Sequence, residues 1–548
     1  MRNPVCVEPN SQYYARSCTD GAGGAIFTWV DERNITNPSI YAQKINVKGK
    51  TQWATNGIPV YVPSNSGAVY STIVADGSGG AIIVMEISVS GGANQLWAQH
   101  INAAGTLLWG NGVKITDAPD SRLRWAEDPE PSGISADGAG GAFVTWQAYQ
   151  DTYFNYAQHI DANGNLVWGT TGIPLLSISS INGYRTVITS TGNGTAVAGF
   201  TVLVSGVYYY YLQKIAANGS YAWSSTGLQV STAYANLDPG FRVIYDAATS
   251  SVFTAFLTSS GSVINLNAQK TDLNGNILWT AGGVNTTNLS SGNAQTPDLL
   301  ADGKGGIFLA AIVNGNANVQ HVNTKGKILW GAGGINVDNI GGNKNNPILV
   351  SDGGTGFIVT YNTTRSFSNG YPIYSQHYTA AGVATWQNGG VAVMADYTNI
   401  DHEVPYTIAS TKGFAITCWQ DSRNSSTTSY DIYAARYGGA TGMSFTAPEE
   451  ESLIATKRMQ DNIPSLYTYP NPASNDAAVS FILDDNVVNA SITIYDATGR
   501  KVKYFSWGNL QAGKQLFHIN TQDLSSGVYD VVMLHSKGKQ EGRIVISK

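Results

Sequence analysis

The stretch YAQKINVKGKTQW, residues 41–53, contains the pattern that decides the fold. It begins with an aromatic residue, a small residue, Gln and Lys, and it ends in Gly-x-x-x-Trp. Copies in which Asn replaces the aromatic residue, or His replaces Lys, recur at intervals of 51 to 59 residues. The repeated tryptophans are Trp53, Trp109, Trp168, Trp223, Trp279, Trp330 and Trp386. An altered copy at residues 433–436 has no such Trp after it. Together with the seven regular copies, it gives eight related units.

Each unit has the sequence of a four-stranded sheet. Gly-rich turns such as Asp20–Gly24 and Asp76–Gly80 separate segments in which apolar and β-branched residues alternate. A sheet of this size buries both of its faces only if other sheets cover them, and repetition around an axis achieves this for every copy. The repeat therefore predicts an all-β fold with an eight-bladed β-propeller. Seven blades are the alternative, because the eighth unit lacks its Trp segment and would need an outer strand from the N-terminus.

Composition excludes several classes of protein. Charged residues make up 12% of the 548 residues and Gly occurs 61 times, which is typical of strands and tight turns and excludes an α-helical protein. The net charge is -6 and the basic residues are scattered, which argues against a nucleic-acid partner. No apolar run reaches the roughly 18 residues that span a bilayer, so no transmembrane segment is predicted. Residues 1–10 lack the pattern of a secretory signal, so we expect the leader peptide of an exported chain to be absent from this sequence.

The residues that most often bind metals give no site. The three cysteines, Cys6, Cys18 and Cys418, lack metal-ligand spacing, and we expect buried unpaired side chains, with one disulfide as the alternative. Four histidines occupy the Lys position of the repeat, namely His100, His159, His321 and His377. Equivalent positions in adjacent blades are about 10 Å apart, too far for the ligands of one ion. We therefore predict a hydrogen-bonded or solvated rim position and no metal site.

Gly-x-x-x-Trp also resembles the tryptophan docking segments of eight-bladed quinoprotein dehydrogenases. Packing between blades is a sufficient explanation for seven such tryptophans. The sequence contains no vicinal cysteine pair and no acidic metal cluster that would mark a quinone pocket. We therefore expect no cofactor.

The composition changes after the eighth unit. Residues 446–463 include three consecutive glutamates and read as a linker between a propeller at residues 1–445 and a second domain at residues 464–548. Six or seven short alternating segments in that second domain predict a small immunoglobulin-like β-sandwich.

The second domain resembles the C-terminal sorting domain, type A, of type IX secretion substrates of Bacteroidetes-type bacteria. Four features carry the resemblance: YPNP at 469–472, IYDATGR at 494–500, LSSGVY at 524–529, and a closing strand that ends in the C-terminal lysine. The sorting residues that it implies are Tyr469, Pro470, Asn471, Pro472, Asp496, Gly499, Gly527, Tyr529 and Lys548. The resemblance implies recognition by the type IX secretion translocon. It also implies a chain that is secreted, or attached to the outer surface of a Gram-negative bacterium. The repeat itself resembles the propellers that often precede such tails. This resemblance implies a fold and a destination outside the cell, but no activity.

The loops on one face of the propeller vary more than those on the other. Loops between second and third strands are long at residues 31–39, 362–372 and 420–431, in units that ring closure makes neighbours. Variable loops on a regular scaffold are common places for recognition. The candidate ligand-binding residues on this face are Trp29, Asp31, Arg33, Trp125, Phe367, Tyr371, Trp419, Asp421 and Arg423. Each Asp and Arg pair has an alternative role, which is to brace its own loop.

Three classes of function follow from these observations. We expect a secreted or cell-surface propeller that binds an extracellular glycan or protein, such as an adhesion protein, because no nucleophile, general base or metal cluster stands out. A glycan-active hydrolase or lyase is the first alternative. It would need two convergent carboxylates, for which the sources are Asp31, Asp128, Asp401, Glu403 and Asp421. A structural surface protein is the second alternative. Whether the chain is an enzyme is therefore left open, with a non-catalytic role favoured and no catalytic residue assigned.

Overall fold

The computed structural model consists of β-strands and turns and divides into two compact units, Met1–Thr446 and Ala447–Lys548. It describes residues 3–548 apart from fifteen short gaps, which are 64–65, 124–132, 151, 177–181, 232–240, 338–341, 365–370, 388, 395–401, 425–428, 441, 443–465, 470–472, 484–485 and 497–499. The predicted linker at 446–463 lies outside the described residues. Among the residues described, no helix is long and apolar enough to cross a membrane.

The described residues of the first unit form eight antiparallel sheets, which we number as blades in chain order. Blade 1 contains β2 (Gln12–Thr19), β3 (Ala25–Asp31), β4 (Ser39–Ile45) and β5 (Ile58–Tyr61). Blade 2 contains β6 (Ser66–Ala75), β7 (Ala81–Val89), β8 (Gln95–Ile101) and β9 (Val113–Lys114). Blade 3 contains β10 (Ser121–Arg122), β11 (Ile134–Ala136), β12 (Ala142–Gln150), β13 (Thr152–Ile160) and β14 (Ile173–Pro174). Blade 4 contains β15 (Asn182–Gly192), β16 (Thr195–Val204), β17 (Val207–Ile215) and β18 (Leu228–Gln229).

The second half of the ring repeats this order. Blade 5 contains β19 (Phe241–Asp246), β20 (Ser251–Ser260), β21 (Val263–Asp272) and β22 (Val284–Asn285). Blade 6 contains β23 (Ala294–Ala301), β24 (Ile307–Val313), β25 (Asn316–Val322) and β26 (Ile335–Asn336). Blade 7 contains β27 (Asn343–Ser351), β28 (Phe357–Thr364), β29 (Ile373–Tyr378) and β30 (Val391–Met394). Blade 8 contains β31 (His402–Ala409), β32 (Phe414–Asp421), β33 (Asp431–Gly438) and the N-terminal strand β1 (Asn3–Cys6).

The sheets form a closed ring. The first strand of each blade contacts the first strand of the next, and β31 of blade 8 contacts β2 of blade 1. Each hydrophobic cluster of the ring is shared between neighbouring blades; one joins blades 8 and 1 through Val5, Phe27, Trp29 and Ile416. The all-β propeller prediction is confirmed. The N-terminus does supply an outer strand, as the seven-bladed alternative required, but that strand completes an eighth sheet.

The repeated Gln holds the connection between the third and fourth strands. In every complete copy its Nε2 donates to a backbone carbonyl eleven residues later, as Gln43 does to Ala54 at 2.7 Å and Gln158 to Gly169 at 2.6 Å. In six of the seven copies its Oε1 accepts from the repeat Trp amide, as from Trp53 at 3.1 Å. These bonds organise the loop before β5, which starts at Ile58.

The repeated Trp joins each blade to the next. Trp168 Nε1 donates to the Ala217 carbonyl of blade 4 at 3.0 Å, and a side-chain carbon added at Gly219 would lie 2.9 Å from its ring. Gly219 has a φ of +83°, so glycine serves both the turn and the close approach of the ring. Every repeat Trp contacts the equivalent glycine of the following blade.

The junction between blades 8 and 1 uses a different residue in the same place. Blade 8 has no repeat Trp, and Asn3 of β1 donates from Nδ2 to the Gly49 carbonyl of blade 1 at 2.9 Å. The outer strand that closes the ring therefore also makes the contact that Trp makes at the other junctions.

The three cysteines are buried and unpaired, as expected. Burial raises the pKa of the Cys6 and Cys18 thiols.

The C-terminal unit is a two-sheet sandwich, as the sequence predicted. One sheet contains β34 (Leu466–Tyr469), β35 (Asp476–Leu483) and β38 (Gly513–Asn520). The other contains β36 (Val487–Asp496), β37 (Lys501–Leu510), β39 (Gly527–His535) and β40 (Gly538–Ile546). Phe481, Ile492, Val531 and Ile544 are among the buried residues between them.

The Trp contact between blades can be tested by truncation. Trp168 is 5% exposed, so we expect Trp168→Ala to lower the free energy of unfolding by about 3–5 kcal/mol, as other buried Trp truncations do. Trp168→Phe keeps most of the ring packing and should lose much less. Urea denaturation followed by tryptophan fluorescence and circular dichroism measures both. An alanine variant as stable as the parent would contradict this role.

Candidate functional site

Two Trp-x-Asp-x-Arg groups each form a closed set of hydrogen bonds, and we call them the latches. They are Trp29, Asp31 and Arg33 in blade 1, and Trp419, Asp421 and Arg423 in blade 8. In blade 1, Asp31 accepts from Trp29 Nε1 at 2.8 Å, and from Arg33 Nε and Nη2, both at 2.8 Å. Arg33 also donates to the Asn56 carbonyl at 2.9 Å, and its guanidinium lies 3.8 Å from the centre of the Tyr41 ring. Burial opposes the charge on Arg33, but its bonds to Asp31 raise its pKa above the usual value.

The latch in blade 8 has the same geometry. Asp421 accepts from Trp419 Nε1 at 2.8 Å and from Arg423 Nε at 2.8 Å and Nη2 at 2.5 Å. The Arg423 guanidinium lies 3.9 Å from the centre of the Tyr433 ring. Each latch therefore ties the end of the second strand to the start of the following loop.

The latches correct the expectation that their tryptophans and aspartates face a ligand. Trp29, Asp31, Trp419 and Asp421 are all 0% exposed. Alternation places Trp and Asp on one side of the strand, and neighbouring blades cover that side. These residues brace their own loops, which was the alternative. The two latch arginines, with side chains 24% exposed, are the members that reach the surface.

Most of the remaining candidates on this face fall outside the part of the chain that the structure describes. Trp125 and Phe367 lie outside the described residues, as do Asp128 and Asp401. Tyr371 is half-buried just before β29. Of the acids that a hydrolase would need, Asp31 and Asp421 are buried against arginines, and this leaves them poorly placed as a catalytic pair.

The structure brings together an aromatic group that the sequence did not indicate. Tyr13 and Tyr14 of β2 are in edge-to-face contact with ring centres 4.8 Å apart, and Tyr14 lies 6.2 Å from Tyr70 of blade 2. Behind them the buried Arg16 guanidinium lies 5.3 Å from the Tyr70 ring and 5.4 Å from the Tyr406 ring of blade 8. We call these five residues the tyrosine cluster. Burial raises the pKa of Tyr406 to about 12, with Arg16 acting in the opposite direction, so Tyr406 keeps its proton at neutral pH.

Tyr14 has an unusual backbone conformation. A β-bulge between Tyr13 and Arg16 gives it a φ of +57°, which is uncommon for a bulky residue. The corresponding bulge residue of blade 7, Asn346, has a φ of +51° and is of a type that tolerates this region. Strain of this kind is concentrated at functional sites. The adjacent tyrosines in the sequence were a signal, but the bulge that turns them was not visible.

The opposite face carries the repeated His and Lys residues. Each His binds the Asp that opens the Gly-rich turn of its own blade through Nε2, as in His100–Asp76 at 3.0 Å and His321–Asp302 at 2.9 Å. Burial opposes ionisation of Asp76 and Asp302, but the His bonds and turn amides lower the pKa of both. Their hydrogen bonds agree with the predicted rim position.

Five of the predicted sorting residues lie in the described part of the sandwich, one of them, Tyr469, as the last backbone position of β34. Tyr529 donates to the Ser525 carbonyl at 2.9 Å, and the Lys548 amide donates to Ser526 Oγ at 3.0 Å. Gly527 starts β39 directly after this loop, so the loop connects the C-terminal residue to the Gly-x-Tyr sequence. Asp496 accepts from Arg500 Nε at 2.9 Å. Pro470, Asn471, Pro472 and Gly499 lie outside the described residues, and the Tyr469 side chain is not described.

Comparison with known protein families identifies the C-terminal unit. Residues 467–547 match the secretion system C-terminal sorting domain. This match confirms the resemblance to type IX secretion substrates and indicates a chain sorted to the cell surface or beyond.

Solved structures give weaker similarities. The chain resembles a puromycin hydrolase mutant complexed with PGG at 10% identity and a TM-score of 0.39, over 76% of this chain and 58% of that one. It resembles a protein of unknown function from Dyadobacter fermentans at 9% identity and a TM-score of 0.35, over 79% and 98%. It also resembles PorZ of Porphyromonas gingivalis, described as a surface component of the type IX secretion system, at 8% identity and a TM-score of 0.23 over both whole chains. No curated protein matches by sequence. At these scores no residue role transfers from the similar structures.

The bracing role of the latches can be measured. Asp421→Ala would leave the Arg423 charge and the buried Trp419 N–H without their shared acceptor, so we expect a loss of about 3 kcal/mol in the free energy of unfolding. Arg500→Ala breaks an ion pair in which the Arg side chain is 78% exposed and should cost less than about 1 kcal/mol. Thermal and urea denaturation compare the two variants. Equal stability of Asp421→Ala and the parent would show that the latch is dispensable.

Proposed function

We propose that this chain is a non-catalytic binding propeller, exported by type IX secretion and displayed at or released from the surface of a Bacteroidetes-type bacterium, where it takes part in adhesion. The sorting-domain match at residues 467–547 supports the export step. The sandwich is the part that the translocon recognises, and the propeller is its cargo.

The tyrosine cluster is the observation that supports binding. Sugar rings and protein side chains are bound by aromatic faces backed by polar groups. Tyr13 and Tyr14 are partly exposed and offer such faces, while the buried Tyr70 and the buried charge of Arg16 support them from behind. The cluster belongs to blades 8, 1 and 2, in the arc where the loops between second and third strands are long at blades 1 and 8. An extracellular glycan is the ligand class that this arrangement favours.

A hydrolase is less well supported. Asp31 and Asp421 are each held by an Arg and an indole N–H, which stabilises the carboxylate and covers it. A general acid needs access to substrate, and both of these side chains are fully buried.

Export can be tested by removing the sandwich. Both chains are expressed with the same added secretory signal peptide. We expect the full chain to reach the surface or the medium of a host with type IX secretion, and a chain ending at residue 446 to remain in the periplasm. Cell fractionation and immunoblotting measure this. An unchanged thermal midpoint of the purified propeller would exclude misfolding as the cause. Export of the shortened chain at the normal level would contradict the assignment.

Binding can be tested by a variant that removes the ring without straining the fold. Tyr14→Asn places a residue that accepts positive φ at this position, as blade 7 does, so we expect equal or higher stability. Loss of one stacked ring, about 1.5 kcal/mol, should weaken glycan binding about tenfold. Glycan arrays followed by calorimetry on the best ligand measure it, with Tyr504→Ala in the sandwich as the control. Unchanged glycan affinity in Tyr14→Asn would exclude the tyrosine cluster as the site.

A further inference from the structure

Three junctions between blades share one hydrogen bond on the face of the Gly-rich turns. The carbonyl of the second-last glycine of each turn accepts from a side chain of the preceding blade. Lys44 Nζ donates to Gly79 at 2.9 Å, Lys270 Nζ to Gly305 at 2.8 Å, and Ser410 Oγ to Gly23 at 2.6 Å. Lys44 Nζ also lies 4.0 Å from Asp20 Oδ2 of its own blade. The Lys44 ammonium group thus bridges an Asp of one blade and a turn carbonyl of the next.

The junction between blades 2 and 3 has the same acceptors and a different donor. His100 replaces Lys, and it is too short to cross, so it binds Asp76 of its own blade at 3.0 Å. Gly140 is the glycine of blade 3 that corresponds to Gly79, and no side chain in the described part of the chain donates to its carbonyl.

The other junctions that follow a His differ at this glycine. In blade 4 the turn is closed as a tight hairpin by the pair Gly192 and Thr195. Blade 7 has Thr355 at the position, and in blade 8 the Gly413 carbonyl accepts from the Gly439 amide at 2.9 Å. Only the junction of blades 2 and 3 combines a His with a regular Gly-rich turn in the next blade, among the described residues.

An open cavity of about 510 Å³ lies at this junction. The residues that line it include the polar Asp76, His100 and Asn102, the backbone of Gly140, and the apolar Leu108 and Ala162. Leu108 is 49% exposed. Burial opposes the charge of Asp76, but its bonds to His100 and to the Ser78 and Gly80 amides lower its pKa, so the carboxylate is ionised at neutral pH. The cavity therefore offers a negative charge, a neutral acceptor and an apolar wall.

We propose that this cavity binds a primary ammonium group carried on a short apolar stem, in the place that the Lys ammonium occupies at the equivalent junctions. The ligand N–H groups donate to the Gly140 carbonyl and to the Asp76 carboxylate. The stem packs against Leu108 and the alanines around it. An amino sugar and a lysine side chain both carry this chemistry, and the site lies on the face opposite the long loops, so it goes beyond the proposed function.

Isothermal titration calorimetry of the full chain tests the proposal with three probes. Glucosamine and Nα-acetyl-lysine methyl ester carry the ammonium group, and glucose is the neutral control. We expect at least one ammonium probe to bind one equivalent at least tenfold more tightly than glucose, and the tighter of the two identifies the carrier. Equal binding of all three probes, or binding of none, would overturn the proposal.

Two exchanges between His and Lys locate the site. His100→Lys supplies the bridging ammonium in the chain itself, so we expect loss of the ammonium-specific equivalent with an unchanged thermal midpoint. Lys44→His frees the same two acceptors between blades 1 and 2, but Gln52 stands there in the place of Leu108, so we expect the added equivalent to bind more weakly than the first. Binding that persists in His100→Lys would overturn the proposal. Tyr14→Asn should bind the probes as the parent does, which separates this result from that of the glycan experiment.

Discussion

The ring depends on the contact between the repeat Trp of one blade and the turn glycine of the next. A four-stranded sheet of this size leaves apolar surface on both sides, and the contact fixes where each neighbour covers it. The indole N–H orients the ring, because it donates to one carbonyl of the next blade. The glycine allows the ring to approach closely, because any side chain at that position would clash with it. The Gln of each repeat holds the Trp loop in place from inside the same blade. The constant repeat length, the Gln, the Trp and the Gly therefore act together to position each blade against the next.

These repeated residues are the reason that much of the fold could be predicted from the sequence. The repeat predicted eight four-stranded units in an all-β ring, and the described residues of the first unit form eight antiparallel sheets. The burial of individual residues within a blade was harder to predict from the sequence. All seven residues of β3 are buried, including the polar Thr28 and Asp31, because neighbouring blades cover both sides of the strand. The bulge at Tyr14 could not be predicted either, since it depends on where β2 pairs with β3.

A single substitution in the repeat changes the surface more than it changes the fold. Lys and His occupy the same place, and both are held by hydrogen bonds, so the turns keep the same shape around them. The two residues differ in the length of their side chains. Lysine extends to the following blade, whereas histidine remains within its own. A regular scaffold can in this way alter one junction while the rest of the ring is unchanged.

Strand β1 has a consequence for the order in which the propeller folds. Blade 8 contains the first strand of the chain together with three of the last strands of the propeller, so the ring closes only when residues about 430 apart have met. Sheets made from one stretch of chain can form early, but the eighth must wait for both ends, and such distant pairings are slow. A chain that is synthesised in sequence order therefore lacks a complete eighth blade until residue 438 is available. The propeller is then closed by its two ends, at the junction next to the sorting domain in the sequence.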